Sequence, residues 1–309
     1  MKSWLPRRIL MLVPVVLGVA TLVFAFLRMV PGDPVVIMLG EQARVADVET
    51  MRKDLGLDGP LHEQYGNFII GLARGDLGKS FYFRRPVRDV VFERYPATIS
   101  LALAAMMVAL LVSFPLGVIS AVKEGTATDT AAGGFALLGV SMPNFWLGPL
   151  LILLFSIHLK LTPVSGGGGI EYLILPAITL GTAMAGILAR LIRSGLLEVK
   201  GSPYVRTARA KGVGGSRLIW VHALRNALLP VITVIGLQFG ALLGGAVITE
   251  TVFSWPGVGL LLIEAIRARD YPLVQGCVLV ISATYVLVNL FTDLFYGIVD
   301  PRIRYEESK

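Results

Sequence analysis

Apolar runs of membrane-crossing length alternate with shorter polar stretches along most of this chain. A helix rises about 1.5 Å per residue, so about 20 mostly apolar residues cross a hydrocarbon core about 30 Å thick. Six runs reach that length: 9–30, 98–122, 132–158, 171–192, 227–250 and 276–299. The fourth is the most interrupted, with Pro176, Gly181 and Gly186 inside it and Arg190 and Arg193 at its end. Spans tolerate such residues where neighbouring helices re-satisfy the backbone. The pattern predicts an all-α integral membrane protein with about six transmembrane helices. Lys2, Arg7 and Arg8 precede the first run as in a signal peptide. The run is too long for one, however, and 24–28 offers no small-residue cleavage site, so it reads as a retained anchor.

The polar stretches carry further elements. Residues 31–97 open with Pro31-Gly32-Asp33-Pro34, a rigid turn that stops the first span. Within them Glu41 to Leu55 reads as helical, and Leu61 to Leu72 as amphipathic, with Tyr65, Phe68, Ile69 and Leu72 at helical spacing. Tyr82, Phe83 and Phe92 are placed to pack these pieces into a subdomain that leans on the membrane part. The 159–170 loop ends in four glycines, Gly166 to Gly169, which predict a mobile connector, either a slack turn or a gating element. In 251–275, Ser254-Trp255-Pro256-Gly257 precedes an apolar helix from Val258 to Ile266, followed by Arg267, Arg269, Asp270, Tyr271 and Pro272. That order predicts a helix at the outer interface, with Trp255 and Tyr271 at headgroup depth. The chain therefore divides into an N-terminal tail and first span (1–30), a subdomain (31–97), a five-helix core (98–300) containing a loop at 194–226, and a tail (301–309).

Composition supports lipid as the solvent. Hydrophobic residues make up 55% and charged residues 16% of the chain, with a mean hydropathy of +0.72. Soluble domains average about 25% charged. The net charge of +7 comes from membrane topology rather than nucleic-acid binding, because cytoplasmic loops accumulate Lys and Arg. An inside N-terminus puts Lys2, Arg7, Arg8, Lys123, the 193–225 cluster, Arg302, Arg304 and Lys309 in the cytoplasm, and Lys160, Arg267 and Arg269 outside. Both termini are then cytoplasmic and 31–97 is extracytoplasmic.

Inside the membrane, Gly236, Gly240 and Gly244 recur every four residues and form a small-residue ridge. Such ridges let helices approach closely, either within this chain or at a seam with a second subunit. Ionisable side chains are scarce mid-span, and Glu250 and Asp293 fall near helix ends. An ion-coupled carrier needs carboxylates near the midplane, so this scarcity argues against a self-powered carrier or a charged filter. Gly75 to Ser80 resembles a phosphate loop but has Ala73 where the pattern needs glycine. His62, His158 and His222 lack metal-ligand spacing, Cys277 is single, and no serine sits in a nucleophile-elbow setting. No catalytic or metal-binding residue is proposed.

The chemistry concentrates at Tyr204 to Pro230, a basic segment between two apolar runs. Ser202 is placed to cap a helix, Pro203 suits its first position, and Gly212 stops it. Ser216 is placed to cap a second helix that leads through Arg217, His222, Arg225 and Asn226 into the fifth span. Tyr204, Val205 and Ala208 share a face ringed by Arg206, Arg209 and Lys211. An apolar knob among cations suits an acidic groove on a cytosolic partner. It equally suits a hairpin lying on lipid.

This segment resembles the EAA loop of bacterial ABC importer permeases, a coupling helix that docks on the ATPase subunit. Arg206, Thr207, Ala208 and Gly212 occupy the motif places, with Arg206 replacing the family's acidic residue. RTARAKG (206–212) followed by HALRNALLP (222–230) is similar to the peptide-transporting branch, as are Pro31-Gly32-Asp33-Pro34, Gly75-Asp76-Leu77-Gly78, Thr162 to Gly166, Phe253 to Gly257 and Arg269-Asp270-Tyr271-Pro272. The resemblance covers nearly the whole chain. It implies a type I ABC importer fold and the first permease subunit of a dipeptide or oligopeptide importer in the bacterial inner membrane. It also implies a heterodimer with a second permease, two ATP-binding subunits and an extracytoplasmic solute-binding protein. No cofactor is expected on this chain, with ATP and Mg used by the ATPases. Coupling falls to Tyr204, Arg206, Thr207, Ala208, Lys211 and Gly212, with Arg225 and Asn226 bracing the second helix and Trp255 and Asp270 facing the receptor. Nickel or glutathione importers are the alternatives within the class. An ATP-independent carrier or channel, and a scaffold or sensor that recruits a cytosolic protein, are the alternatives outside it.

Overall fold

The chain's three-dimensional structure, a computed structural model, describes residues 4–29, 32–40 and 43–299. Lys2, Pro31, Glu41 and the tail 301–309 lie outside the described residues, as do the side chains of Arg7, Arg8, Ser216 and Asp293. Among the described residues the architecture is helical, with one isolated bridge between Lys79 and Pro86. Val87–Val122, Ile170–Lys200 and Tyr271–Thr292 are each long and apolar enough to cross a bilayer. The number reaches 6 if each bent helix pair counts as one span, and Val13–Met29 is a shorter apolar helix. The chain forms two compact units, Met1–Ile99 with Trp255–Val286, and Ser100–Ser254 with Leu287–Lys309.

The first unit contains α1 (Trp4–Met29), α2 (Pro34–Leu39), α3 (Val45–Asp54), α4 (Leu61–Ala73), the start of α5 (Val87–Val122), α12 (Val258–Arg267) and the start of α13 (Tyr271–Val299). Its core joins Val87, Val90 and Val91 of α5 to Val258, Leu261 and Ala265 of α12 and to Leu273, Val274 and Cys277 of α13. The i, i+3, i+4 spacing on α5 explains why that helix begins at Val87 and not at 98. Exposed Arg88, Asp89 and Glu93 on its other side lower the mean hydropathy there without interrupting the apolar stripe. Asp33 caps α2 through Val35 N at 2.8 Å and pairs with Arg52 of α3. Partial burial raises the Asp33 carboxyl pKa, but hydrogen bonds from Arg52 and Val35 N outweigh that and hold it below the usual carboxylate value.

The second unit contains the rest of α5, α6 (Ala127–Ser141), α7 (Asn144–Leu151), which runs into a π-helical segment (Ile152–His158), α8 (Ile170–Lys200), α9 (Pro203–Ala210), α10 (Gly215–Arg217), which runs into a second π-helical segment (Leu218–Ala223), α11 (Leu224–Phe253), and the end of α13. α8, the most interrupted run in the sequence, lies at the centre and packs chiefly on α11 and α6. Its glycines explain this. A Cβ at Gly181 would sit 2.5 Å from Ala105 O of α5, and one at Gly186 would strike Ala136 O and Val140 of α6. The residues that weaken the hydropathy signal are thus the ones that let backbones touch.

Two expectations are corrected here. The continuous span over 132–158 is broken, because α6 and the following helix meet at 105°. Met142 before Pro143 is extended at ψ 117, and Pro143, with no N–H, holds the N-cap position of α7. The glycine loop is not slack at Gly166, which adopts φ +112 while its N–H donates to Phe253 O at 2.9 Å.

Candidate functional site

The basic hairpin is built by α9, α10 and the start of α11 within the second unit. Pro203 occupies the first turn of α9, as its fixed φ favours. Ser202 holds the N-cap position, but its hydroxyl donates to Val199 O at 2.6 Å and ties the cap back to α8 instead of capping α9. Gly212 at φ +80 ends the helix. Its N–H donates to Arg209 O at 3.0 Å and Val213 N–H to Ala208 O at 3.2 Å, the paired bonds of a Schellman terminus. Gly214, and not Ser216, holds the N-cap position of α10.

Tyr204 bridges the two arms. Asn226 Nδ2 donates to Tyr204 Oη at 2.7 Å, and that hydroxyl donates to His222 O at 3.2 Å. Asn226 therefore braces the hairpin as a side chain, while Arg225 is exposed. The expected apolar knob is corrected in one respect, since Val205 is 1% exposed. It turns inward and lines a cavity of about 280 Å³ together with Lys200, Arg209, Val213, Leu218, Ile219 and Ala223. Closing one arm on the other removes the apolar side from solvent. What remains outside is cationic and polar: Arg206, Thr207, Arg209, Lys211 and Arg217 are exposed and Ala208 is half-buried. Trp220 and Val221, each 54% exposed, add an apolar patch beside it along the π-helical segment.

Behind the hairpin lies an ion pair that sequence reasoning missed. Arg193 of α8 donates from Nε and Nη2 to the two carboxylate oxygens of Asp129 on α6, each at 2.8 Å. Asp129 also accepts from Ser120 Oγ of α5 and from Gly125 N at 3.0 Å. Lys200 Nζ donates to Ala121 O at 3.2 Å, just before the hairpin begins. The local signal was Thr126, which caps α6 through Asp129 N at 3.4 Å. The pairing with Arg193 crosses 64 positions and has no local signature.

The glycine ridge on α11 faces different surroundings along its length. A side chain at Gly236 would strike Thr292, Gly240 is buried, and Gly244 has no atom within 4 Å of its would-be Cβ. Trp255 and Asp270, expected on the outer receptor-facing side, are interior to the first unit, 7% and 0% exposed. Trp255 Nε1 donates to Ala97 O at 2.8 Å. Asp270 caps α13 through Leu273 N at 3.1 Å and accepts from Ser80 Oγ at 2.5 Å and Tyr82 N at 3.0 Å. Both satisfy buried backbone groups, so neither presents a polar face to a receptor. Tyr271 is also buried, at 7% exposure.

Residues 113–305 match the family described as binding-protein-dependent transport system inner membrane component, and residues 1–102 match its N-terminal counterpart. The chain belongs to this permease family. The permease is 45% identical over 339 residues to the dipeptide transport system permease protein DppB of Escherichia coli, covering 99% of this chain and 100% of that one. It is 45% identical over 337 residues to the di/tripeptide permease DppB of Pseudomonas aeruginosa, with the same coverage. The glutathione transport system permease protein GsiC of Escherichia coli is 41% identical over 306 residues, covering 99% and 100%. Among solved structures, an inward-facing MetNI methionine ABC transporter superposes with a TM-score of 0.58 at 16% identity, over 68% of this permease and 96% of that chain. An amino acid ABC transporter with histidines gives a TM-score of 0.53 at 15% identity, over 70% and 94%. The fold is that of type I ABC importer permeases, and the carrier, channel and scaffold alternatives give way to it.

Proposed function

We propose that this permease is the first of two membrane subunits in an ABC importer for di- or oligopeptides. Full-length identity of 45% to two DppB permeases carries this reading. It sits in the bacterial inner membrane with both termini cytoplasmic, beside a second permease, and works with two ATPases and an extracytoplasmic solute-binding protein. The chain holds no cofactor of its own, and ATP and Mg act on the ATPases. Its cationic α9 surface docks into an acidic cleft of an ATPase, and Tyr204 passes movement of α9 to α11 through Asn226. Glutathione, itself a peptide, is the second reading, favoured by the 41% identity to GsiC.

The test is Mg-ATPase activity and uptake by the assembled complex in proteoliposomes. Hydrolysis that rises with a dipeptide-loaded binding protein, together with dipeptide accumulation, is expected. Arg206→Glu with Lys211→Glu is expected to strip the ATPases from the purified complex while the permease pair survives. Retained ATPases and normal uptake in that variant would remove the hairpin from the docking surface.

A further inference from the structure

The helix α4 (Leu61–Ala73) lies where a loop helix in water would not. It meets α1 inside the apolar run of that span. Tyr65 Oη lies 2.7 Å from Thr21 Oγ1. The Thr21 hydroxyl already donates to Leu17 O at 2.7 Å, so Tyr65 is the donor. Phe24 of α1 packs edge-on against Tyr65 with centroids 5.1 Å apart and stacks on Phe68 at 5.9 Å. Arg28 folds back over the Phe24 ring at 3.4 Å and donates to Gln64 Oε1 at 2.9 Å.

These contacts fix a depth. Between Arg8 and Arg28, α1 carries no charge. That run is about 28 Å long at 1.5 Å per residue, so all of it is needed to cross the hydrocarbon core and Arg28 marks its edge. Phe24 and Thr21 lie about 6 and 10 Å inward from Arg28 along the axis. Interfacial helices bury their apolar face to about the same depth, 5–10 Å.

The composition of α4 agrees. After Glu63 it carries no charged side chain, and Gly66 to Ala73 is apolar apart from Asn67. The chain covers that surface only in part: no residue of α4 is fully buried, Ala73 is exposed and Ile70 is 52% exposed. It runs on into the exposed apolar side of α1, where Leu22 and Phe26 are 56% and 60% exposed. Glu63, Gln64 and Asn67 share one side of this amphipathic helix, and the apolar side that remains needs an apolar solvent where the chain leaves it open. By contrast α3 (Val45–Asp54), also without a buried residue, carries Asp47, Glu49, Arg52, Lys53 and Asp54 and suits water.

We infer that α4 is an interfacial helix embedded in the outer leaflet, with Ile69, Ile70 and Ala73 against lipid acyl chains. The depth rests on α1 alone, and the word outer rests on the proposed topology. Spin labels on Ile70→Cys, Leu22→Cys and Glu49→Cys in the reconstituted full complex test it, with fully buried Cys277 left in place. Oxygen collisions are expected to exceed those of a water-soluble nickel chelate at positions 70 and 22, with the reverse at 49. A position 70 that follows 49 would place α4 in water. A position 70 closed to both reagents would place it under protein. Either result overturns the inference. Labelling of Glu49→Cys on intact cells by an impermeant maleimide reports the side separately, so a failed topology leaves the depth result readable.

Discussion

Arg193 and Asp129, 64 positions apart, meet in a two-bond ion pair that clamps α8 to α6 just before the chain enters the basic hairpin. The carboxylate side chain is 11% exposed and the guanidinium side chain 34%. Removing either partner leaves the other charge without its paired hydrogen bonds. Asp129→Asn and Arg193→Gln are each expected to lower the unfolding midpoint of the purified complex, with the double variant losing less than the sum. Strict additivity would show that the two side chains do not support each other.

The Tyr204 hydroxyl, on the first arm of the hairpin, bonds to Asn226 Nδ2 and His222 O on the second. Tyr204→Phe removes it without removing the ring. Each such bond is worth about 1 kcal/mol, so transport is expected to fall several-fold while ATPase subunits still co-purify. Asn226→Ala, which leaves the bond to His222 O, is expected to act in the same direction but less, and the pair no worse than Tyr204→Phe alone. Uptake unchanged in Tyr204→Phe would show that these bonds carry no coupling.

Gly186 and Gly244 are opposite cases of one residue type. Gly186→Leu drives a side chain into the α6 backbone at Ala136, so loss of folded permease is expected. Gly186→Ala is expected to destabilise by about 1–3 kcal/mol, the usual cost of overpacking. Gly244 faces open space, and Gly244→Ala is expected to leave the isolated chain unchanged. A loss of subunit assembly in Gly244→Leu would then locate a seam with the second permease. Comparing the unfolding midpoint with the subunit ratio separates the two cases.

Asp33 joins α2 to α3 through Arg52, and its carboxyl is held below the ordinary value. A carboxylate depressed by folding stabilises fully above its unfolded pKa of about 3.9, and that support fades as pH falls through the lower folded value. Amide protection in α2 and α3 is therefore expected to be constant at neutral pH and to drop below about pH 4. Asp33→Asn should show the reduced protection at every pH. Wild-type protection that persists in acid would exclude this pair as the tie.

Local chemistry was readable where it acted within a few residues. Pro203 and Gly212 marked the ends of α9, and Leu61 to Leu72 marked α4, because caps and periodicity depend on near neighbours. Met142-Pro143 was legible too, but averaging hydropathy over a span-length window hid it. Val205 was placed on the correct helix and the wrong side, since a helix of 8 residues does not say which partner covers its apolar face.

By itself, the sequence determined that the chain is helical, that lipid is its solvent, where most apolar helices run and where the basic hairpin turns. Hydropathy and backbone chemistry are local properties, so those features follow from composition in short windows. Only the tertiary structure decided that interrupted α8 is the centre of its unit, that Arg193 finds Asp129, that Trp255 and Asp270 turn inward, and that α4 leans on Thr21. The reason is physical. In a bilayer, lipid and protein interior are both apolar, so hydropathy cannot rank one packing over another. Backbone approach at glycines and a few long-range polar bonds make that choice, and they act between residues that the sequence keeps far apart.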